Sequence, residues 1–114
     1  MNHPVQVAFI SDSLKHELNA LSSGKTEEKM LYANIERALD VLKACPHSGI
    51  KIKKTCWPNY YVKRYSITNL WKWDLPNGWR MIYHIRRSEN HLLCVLMEWF
   101  SHKEYNRRFG YHDS

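Results

Sequence analysis

The sequence predicts an α+β fold: an N-terminal strand, a helical hairpin, then a mainly antiparallel sheet of three to four strands with the helices packed on one face. Three observations predict it. Residues 26–43 carry Leu31, Ile35, Ala38, Leu39 and Leu42 at helical spacing, a single apolar stripe that must be buried. Residues 69–75 and 79–85 are strand-like runs on either side of Pro76-Asn77-Gly78, a strong hairpin-turn signal. Residues 92–100 are almost continuously apolar, as expected of a strand covered on both faces. With 114 residues the chain has room for one such domain, 1–114, and not for two.

Taken in order, residues 5–10 are a short apolar run rich in β-formers and read as an edge or central strand. Ser11, Asp12 and Ser13 offer capping oxygens to a helix that carries Leu14, Leu18 and Leu21, and Ser22-Ser23-Gly24 closes it. Thr26 is placed to cap the second helix. Glu27 and Glu28 suit the positive end of its dipole, Lys43 suits the negative end, and Pro46 stops it. Residues 50–53 alternate apolar and basic, so an extended segment would put Lys51 and Lys53 on one side. Trp57-Pro58-Asn59 is punctuation. Residues 60–67 are rich in β-formers, and a strand and an ordered connection are both open. On the strand after the turn, Trp79, Met81, Tyr83 and Ile85 share one face and Arg80, Ile82, His84 and Arg86 the other. Residues 87–90 make the next turn, Glu98 is the only charge on the last strand, and residues 102–108 form a polar terminal turn or short helix.

Composition narrows the function. A net charge of +6 attracts polyanions at long range, so nucleic acid is the first partner to consider. Three cysteines, an odd number, argue against a disulfide scaffold, and Cys94 in its apolar run reads as a core thiol. Cys45, His47 and Cys56 make half of a zinc set with no second close-spaced pair, so no metal or other cofactor is expected. No apolar stretch approaches membrane-spanning length, and Met1-Asn-His-Pro lacks the features of an export signal. The expected compartment is the cytoplasm, with no membrane partner.

Three short motifs carry more. Residues 79–83 read Trp-Arg-Met-Ile-Tyr, residues 101–105 read Ser-His-Lys-Glu-Tyr, and residues 69–73 read Asn-Leu-Trp-Lys-Trp. With the order of elements, they resemble the RelE/ParE toxin superfamily. The motifs cover about the last third of the chain, and the element order covers nearly all of it. The resemblance implies a type II toxin–antitoxin system. RelE-like members are mRNA interferases that cut messenger RNA on the ribosome and are silenced by a cognate antitoxin. ParE-like members poison DNA gyrase. Basic and acid–base residues on the sheet favour the ribonuclease branch, with the ribosome and mRNA as partners and no small-molecule substrate. A RelE-like module that binds RNA or protein without cutting is the alternative. The stretch 55–67 is longer than in minimal members of the superfamily.

Cleavage of RNA by its own 2′-OH needs a base, a cation for the charge building on phosphate, and an acid for the leaving 5′ oxygen, and it needs no metal. Arg80 matches the superfamily's strand arginine and suits a phosphate clamp, because its planar fork stays charged. Its rival reading is a solvated arginine on the sheet. His102 is the candidate acid or base, against a plain surface histidine. Tyr105 could stack on a base or donate a proton, or pack its ring on the core. Lys53, with Lys54, resembles the superfamily's basic pair and could help activate the 2′-OH or hold the backbone. Lys51, Lys54, Lys63, Arg64, Lys103, Arg107 and Arg108 form an expected track for RNA phosphates, against the commoner reading of solvated charge. Glu98 and, less so, Asp74 are further candidate bases, and His84 shares the nominal face of Arg80. Of Trp71, Trp73, Trp79 and Trp99 most are expected to pack rather than form a stacking platform, and Trp57 beside Pro58 is the tryptophan expected to be exposed.

Overall fold

The sheet grows outward from the hairpin closed by Pro76-Asn77-Gly78. Asn77 and Gly78 adopt φ of 63° and 79°, the left-handed region that these residue types tolerate, and the Leu75 N–H donates to the Trp79 carbonyl at 2.8 Å. The computed structural model describes residues 5–110. The strand pair flanking the turn is β3 (Trp71–Asp74) and β4 (Arg80–Ser88), with Trp71 opposite Tyr83 and Asp74 opposite Arg80. β4 also pairs antiparallel with β5 (His91–Phe100), and a bulge at Ile82/Tyr83 shifts the register there. β1 (Val5–Phe9) lies parallel to β5, and β2 (Ile50–Lys51) pairs antiparallel with β3, giving the order β1-β5-β4-β3-β2.

The helical hairpin is α1 (Asp12–Leu21) and α2 (Thr26–Ala44). Ser11 caps α1 by accepting from the Leu14 N–H at 3.1 Å, as its sequence position suggests. α2 is closed differently from the expectation: Thr26 is its first helical residue, not its cap, and Glu28 reaches back to accept from the Lys25 N–H at 2.9 Å. All five stripe residues of α2 are buried, against Leu14, Leu18, Met81, Tyr83, Cys94 and Leu96. Trp71, Trp73, Trp79 and Trp99 pack around this cluster, the role expected of them.

Helices cover both faces of the sheet, where the sequence suggested one. On the second face, α3 (Asn59–Tyr65) and α4 (His102–Phe109) bury Tyr61, Tyr105 and Phe109 against Ile52, Leu70, Ile82, Met97 and Phe100. Residues 60–67 are therefore mostly helix rather than strand or connection. Tyr61 is fully buried and its hydroxyl donates to Glu98 at 2.9 Å, a tertiary contact that overrides the β-forming composition. The alternation at 50–53 survives as a two-residue strand with Ile52 buried behind it, while Ile50 is 52% exposed. Readings that concern residues 1–4 and 111–114 fall outside the described residues.

A turn at Pro46–Ser48 leads from α2 into β2, and Tyr83 ties it down. The Tyr83 hydroxyl donates to the Pro46 carbonyl (3.0 Å) and accepts from the Gly49 N–H (3.1 Å). A β-carbon at Gly49 would collide with that hydroxyl and lie 2.7 Å from the Lys72 carbonyl. Gly49→Ala is therefore expected to destabilise the fold by about 1–3 kcal/mol, the range for overpacking, read from the midpoint of denaturant unfolding.

Candidate functional site

α4 begins where Ser101 Oγ accepts from the Glu104 N–H (3.3 Å) and ends at Gly110, whose φ of 68° suits glycine. Tyr105 and Phe109, one turn apart, form its buried face and stack with ring centroids 4.6 Å apart. The closing loop of the β3–β4 hairpin meets the other side of the helix start, since a β-carbon on Gly78 would touch His102 Cβ at 3.4 Å. His102 is thereby held over the first residue of β4.

That residue is Arg80, with a side chain only 16% exposed. Its Nη1 donates to the Gly78 carbonyl at 3.1 Å, and its Nε lies 3.0 Å from Asp74 Oδ1 in an ion pair not aligned as a hydrogen bond. Its Nη2 sits 3.1 Å from His102 Nδ1. Lys72 reaches the same carboxylate at 3.4 Å, and Lys72 Nζ and Arg80 Cζ lie over the Tyr105 ring at 5.5 and 5.8 Å. Arginine can only donate, so His102 Nδ1 is the acceptor, and the proton of the neutral ring is on Nε2. Asn106 Nδ2 lies 3.2 Å from Nε2, so the amide has to turn over to present its oxygen to that proton. The cluster is an exposed, tautomer-fixed imidazole against a guanidinium, with a second cation and one carboxylate beside them.

A second polar cluster ties α3, β5 and α4 together. Glu98 accepts from Tyr60 (3.1 Å) and Tyr61 (2.9 Å) and lies 3.8 Å from Arg108. Arg108 also donates to Glu104 (2.7 Å) and Tyr60 (2.9 Å), and Arg107 donates to Glu104 (2.8 Å). Burial, with the Glu98 charge adding to it, raises the Tyr61 hydroxyl well above its usual value. Hydrogen bonds from Arg108 and then Arg107 lower the Glu104 carboxyl. Glu98 thus serves as an anchor, fully engaged away from Arg80.

The structure brings Arg80 and His102 into contact and places Tyr105 beside them, but buried: stacking on a base, one sequence reading of Tyr105, is replaced by packing on Phe109. Lys53 is elsewhere. The Ile52 N–H before it bonds the Leu70 carbonyl, so Lys53 lies near the far end of β3, roughly 15 Å from Arg80 by strand rise and spacing. Lys51 and Lys54 flank it, Lys63 and Arg64 are exposed on α3, and Lys103 is exposed on α4. Arg107 and Arg108 are held by Glu104, which makes them poorer phosphate ligands than their count suggests. Trp57, expected to be exposed, is half-buried and donates its indole N–H to the Ile52 carbonyl at 2.9 Å. Lys72 and Asn106 were not singled out by sequence. The signals were there: Lys72 is two residues from Asp74 on the strand paired with Arg80, and Asn106 is one helical turn from His102.

Comparison with known proteins brings no match: no family model, no curated protein and no solved structure is significantly similar to the chain. Among the described residues, no group of three or more His, Cys, Asp or Glu is placed to hold a metal ion, and no helix is long and apolar enough to cross a membrane.

His84 is buried on the sheet with Nε2 unpartnered, and burial, followed by the Arg86 charge, lowers its pKa from 6.5 to about 4. The folded state keeps it neutral while the unfolded chain protonates it below pH 6.5. Its contribution is present above that pH and is lost as pH falls toward 4, amounting to about 3 kcal/mol at most. Stability measured by denaturant from pH 7 to 4 should fall less steeply in His84→Leu than in the wild type. Glu98→Ala leaves the buried Tyr61 hydroxyl without its acceptor and should cost about 1–3 kcal/mol in the same assay.

Proposed function

We propose that the chain is a RelE-like mRNA interferase, a ribosome-dependent endoribonuclease toxin held silent by a cognate antitoxin. The observation that carries this reading is the contact between Arg80 Nη2 and Nδ1 of the exposed His102, the phosphate clamp and proton-exchanging group that the motif resemblance calls for. A phosphate oxygen that takes the Nη2 N–H now donated to His102, rather than the second N–H of that nitrogen, would release the imidazole. The displaced imidazole then has a free Nδ1 lone pair beside the bound phosphate. It takes the proton of the 2′-OH, the 2′ oxygen attacks phosphorus, and the P–O5′ bond breaks, the 5′ oxygen taking a proton from water at this exposed edge. Arg80, with Lys72 beside it, offsets the charge on the non-bridging oxygens. The products are a 2′,3′-cyclic phosphate and a 5′-hydroxyl.

One observation favours the non-catalytic alternative. Each nitrogen of Arg80 already has a contact, with Asp74, Gly78 or His102, so the guanidinium also serves as a latch within the fold. Under that reading the chain binds RNA or a partner protein and cuts nothing.

Messenger RNA on programmed ribosomes separates the readings. The interferase cuts only when ribosomes are present and leaves cyclic-phosphate ends. His102→Ala, at an exposed position, keeps the fold and lowers the cleavage rate by about 10²–10⁴-fold. Folded wild-type protein that leaves the message intact refutes the enzyme and supports the binding module. Gyrase inhibition that persists in His102→Ala points to a ParE-like poison.

A further inference from the structure

We propose that the outer face of α2 is a self-association surface, on which a second copy of the chain packs its own α2 antiparallel about a two-fold axis. The argument starts from two side chains. Met30 and Val41 are 50% and 42% exposed, two of the four large apolar residues left exposed among the described residues. They stand eleven residues apart, close to three full helical turns, and so share one side of α2, away from its buried stripe. Ala33, Asn34 and Arg37 fill the lane between them. Beside Met30 a cavity of about 260 Å³ opens between α2 and the hairpin loop, lined also by Glu27, Leu31, Asn34, Pro76 and Trp79.

Charge selects this face and this occupant. A chain of net charge +6 repels its own copies over most of its surface. The helical hairpin is the exception: residues 12–44 carry six carboxylates against five lysines and arginines, which leaves +7 on the rest of the chain. The other two exposed apolar residues lie in that rest, Ile50 next to Lys51 and Val62 next to Lys63 and Arg64. The residue order along α2 is also self-complementary. With the axis between positions 35 and 36, Met30 of each copy meets Val41 of the other, which brings that valine to the mouth of the cavity beside Met30. On one flank Lys29 comes opposite Asp40, and in the centre Arg37 comes opposite Asn34 with Glu36 beside it. Lys43 lies 3.9 Å from Asp40 within its own copy, but both are mostly exposed, so that pair gives way at little cost. Antiparallel packing also sets opposite ends of the two helix dipoles side by side. Each contact occurs twice, as a two-fold interface requires. One helix a side makes a small interface, so the dimer is reversible over the micromolar range. It forms whether or not the chain cuts RNA.

The test is sedimentation of the full chain at concentrations from about 5 to 500 µM. The wild type should pass from monomer mass toward twice that mass as concentration rises. Val41→Lys puts an unpaired ammonium against Met30 and should weaken the dimer by about ten-fold or more. Val62→Lys, the same change at the exposed valine of α3, should leave it unaltered. Asp40→Lys sets two lysines against each other and should weaken the dimer several-fold, and the swapped double variant Lys29→Asp, Asp40→Lys should restore it, which a merely structural role for either residue does not predict. All four positions are exposed, and circular dichroism checks that each variant is folded. A wild type that stays monomeric throughout overturns the proposal and leaves the face to a different protein. A dimer indifferent to Val41→Lys or to Asp40→Lys overturns it, and so does a swapped variant that fails to recover.

Discussion

Everything distinctive about this molecule depends on α4 closing over the second face of the sheet. The helix is short and mostly polar, so its attachment rests on two rings, Tyr105 and Phe109, and on polar contacts at its ends. At one end Arg108 joins Glu98, Glu104 and Tyr60; at the other His102 joins Arg80. The apolar contact supplies the driving force, and the polar contacts fix where along the sheet the helix sits. Without that placement, Arg80 would be a strand arginine paired with Asp74, and His102 an ordinary surface imidazole.

Around α4 some basic residues are paired, while Lys63, Arg64 and Lys103 are exposed and in no ion pair among the described residues. Near α4 two cations share each carboxylate, Lys72 and Arg80 on Asp74 and Arg107 and Arg108 on Glu104, so these side chains are held in place by their pairing. At the opposite end of the sheet Lys51, Lys53 and Lys54 are exposed and, among the described residues, in no ion pair. In the proposed reading these are complementary tasks: unpaired cations capture a polyanion at long range, and the paired, geometrically fixed set acts on one phosphate.

Much of this was legible in the chain. The stripe on α2, the Asn77-Gly78 turn and the alternating faces of β4 each follow from a local rule, and each lies where that rule puts it. The contact of Arg80 with His102 was approached only through motif resemblance, because nothing local relates residues 22 positions apart. α3 was illegible for a clearer reason. Tyr60, Tyr61 and Tyr65 favour strands by type, while the Glu98 acceptor of Tyr60 and Tyr61 and the apolar cluster that buries Tyr61 are assembled from residues far along the chain. The displacement of Lys53 has the same origin. Pairing of the short β2 with β3 sets its distance from Arg80, and a two-residue strand leaves almost no periodic signal.

The central claim is that Arg80 fixes the tautomer and orientation of His102. Long-range proton–nitrogen NMR correlations of the His102 ring, recorded where the ring is neutral, test it most directly. The Arg80 contact predicts a single tautomer, with Nδ1 bare toward the guanidinium and the proton on Nε2. A ring protonated at Nδ1, or one averaging between tautomers as a free surface histidine does, would contradict the account.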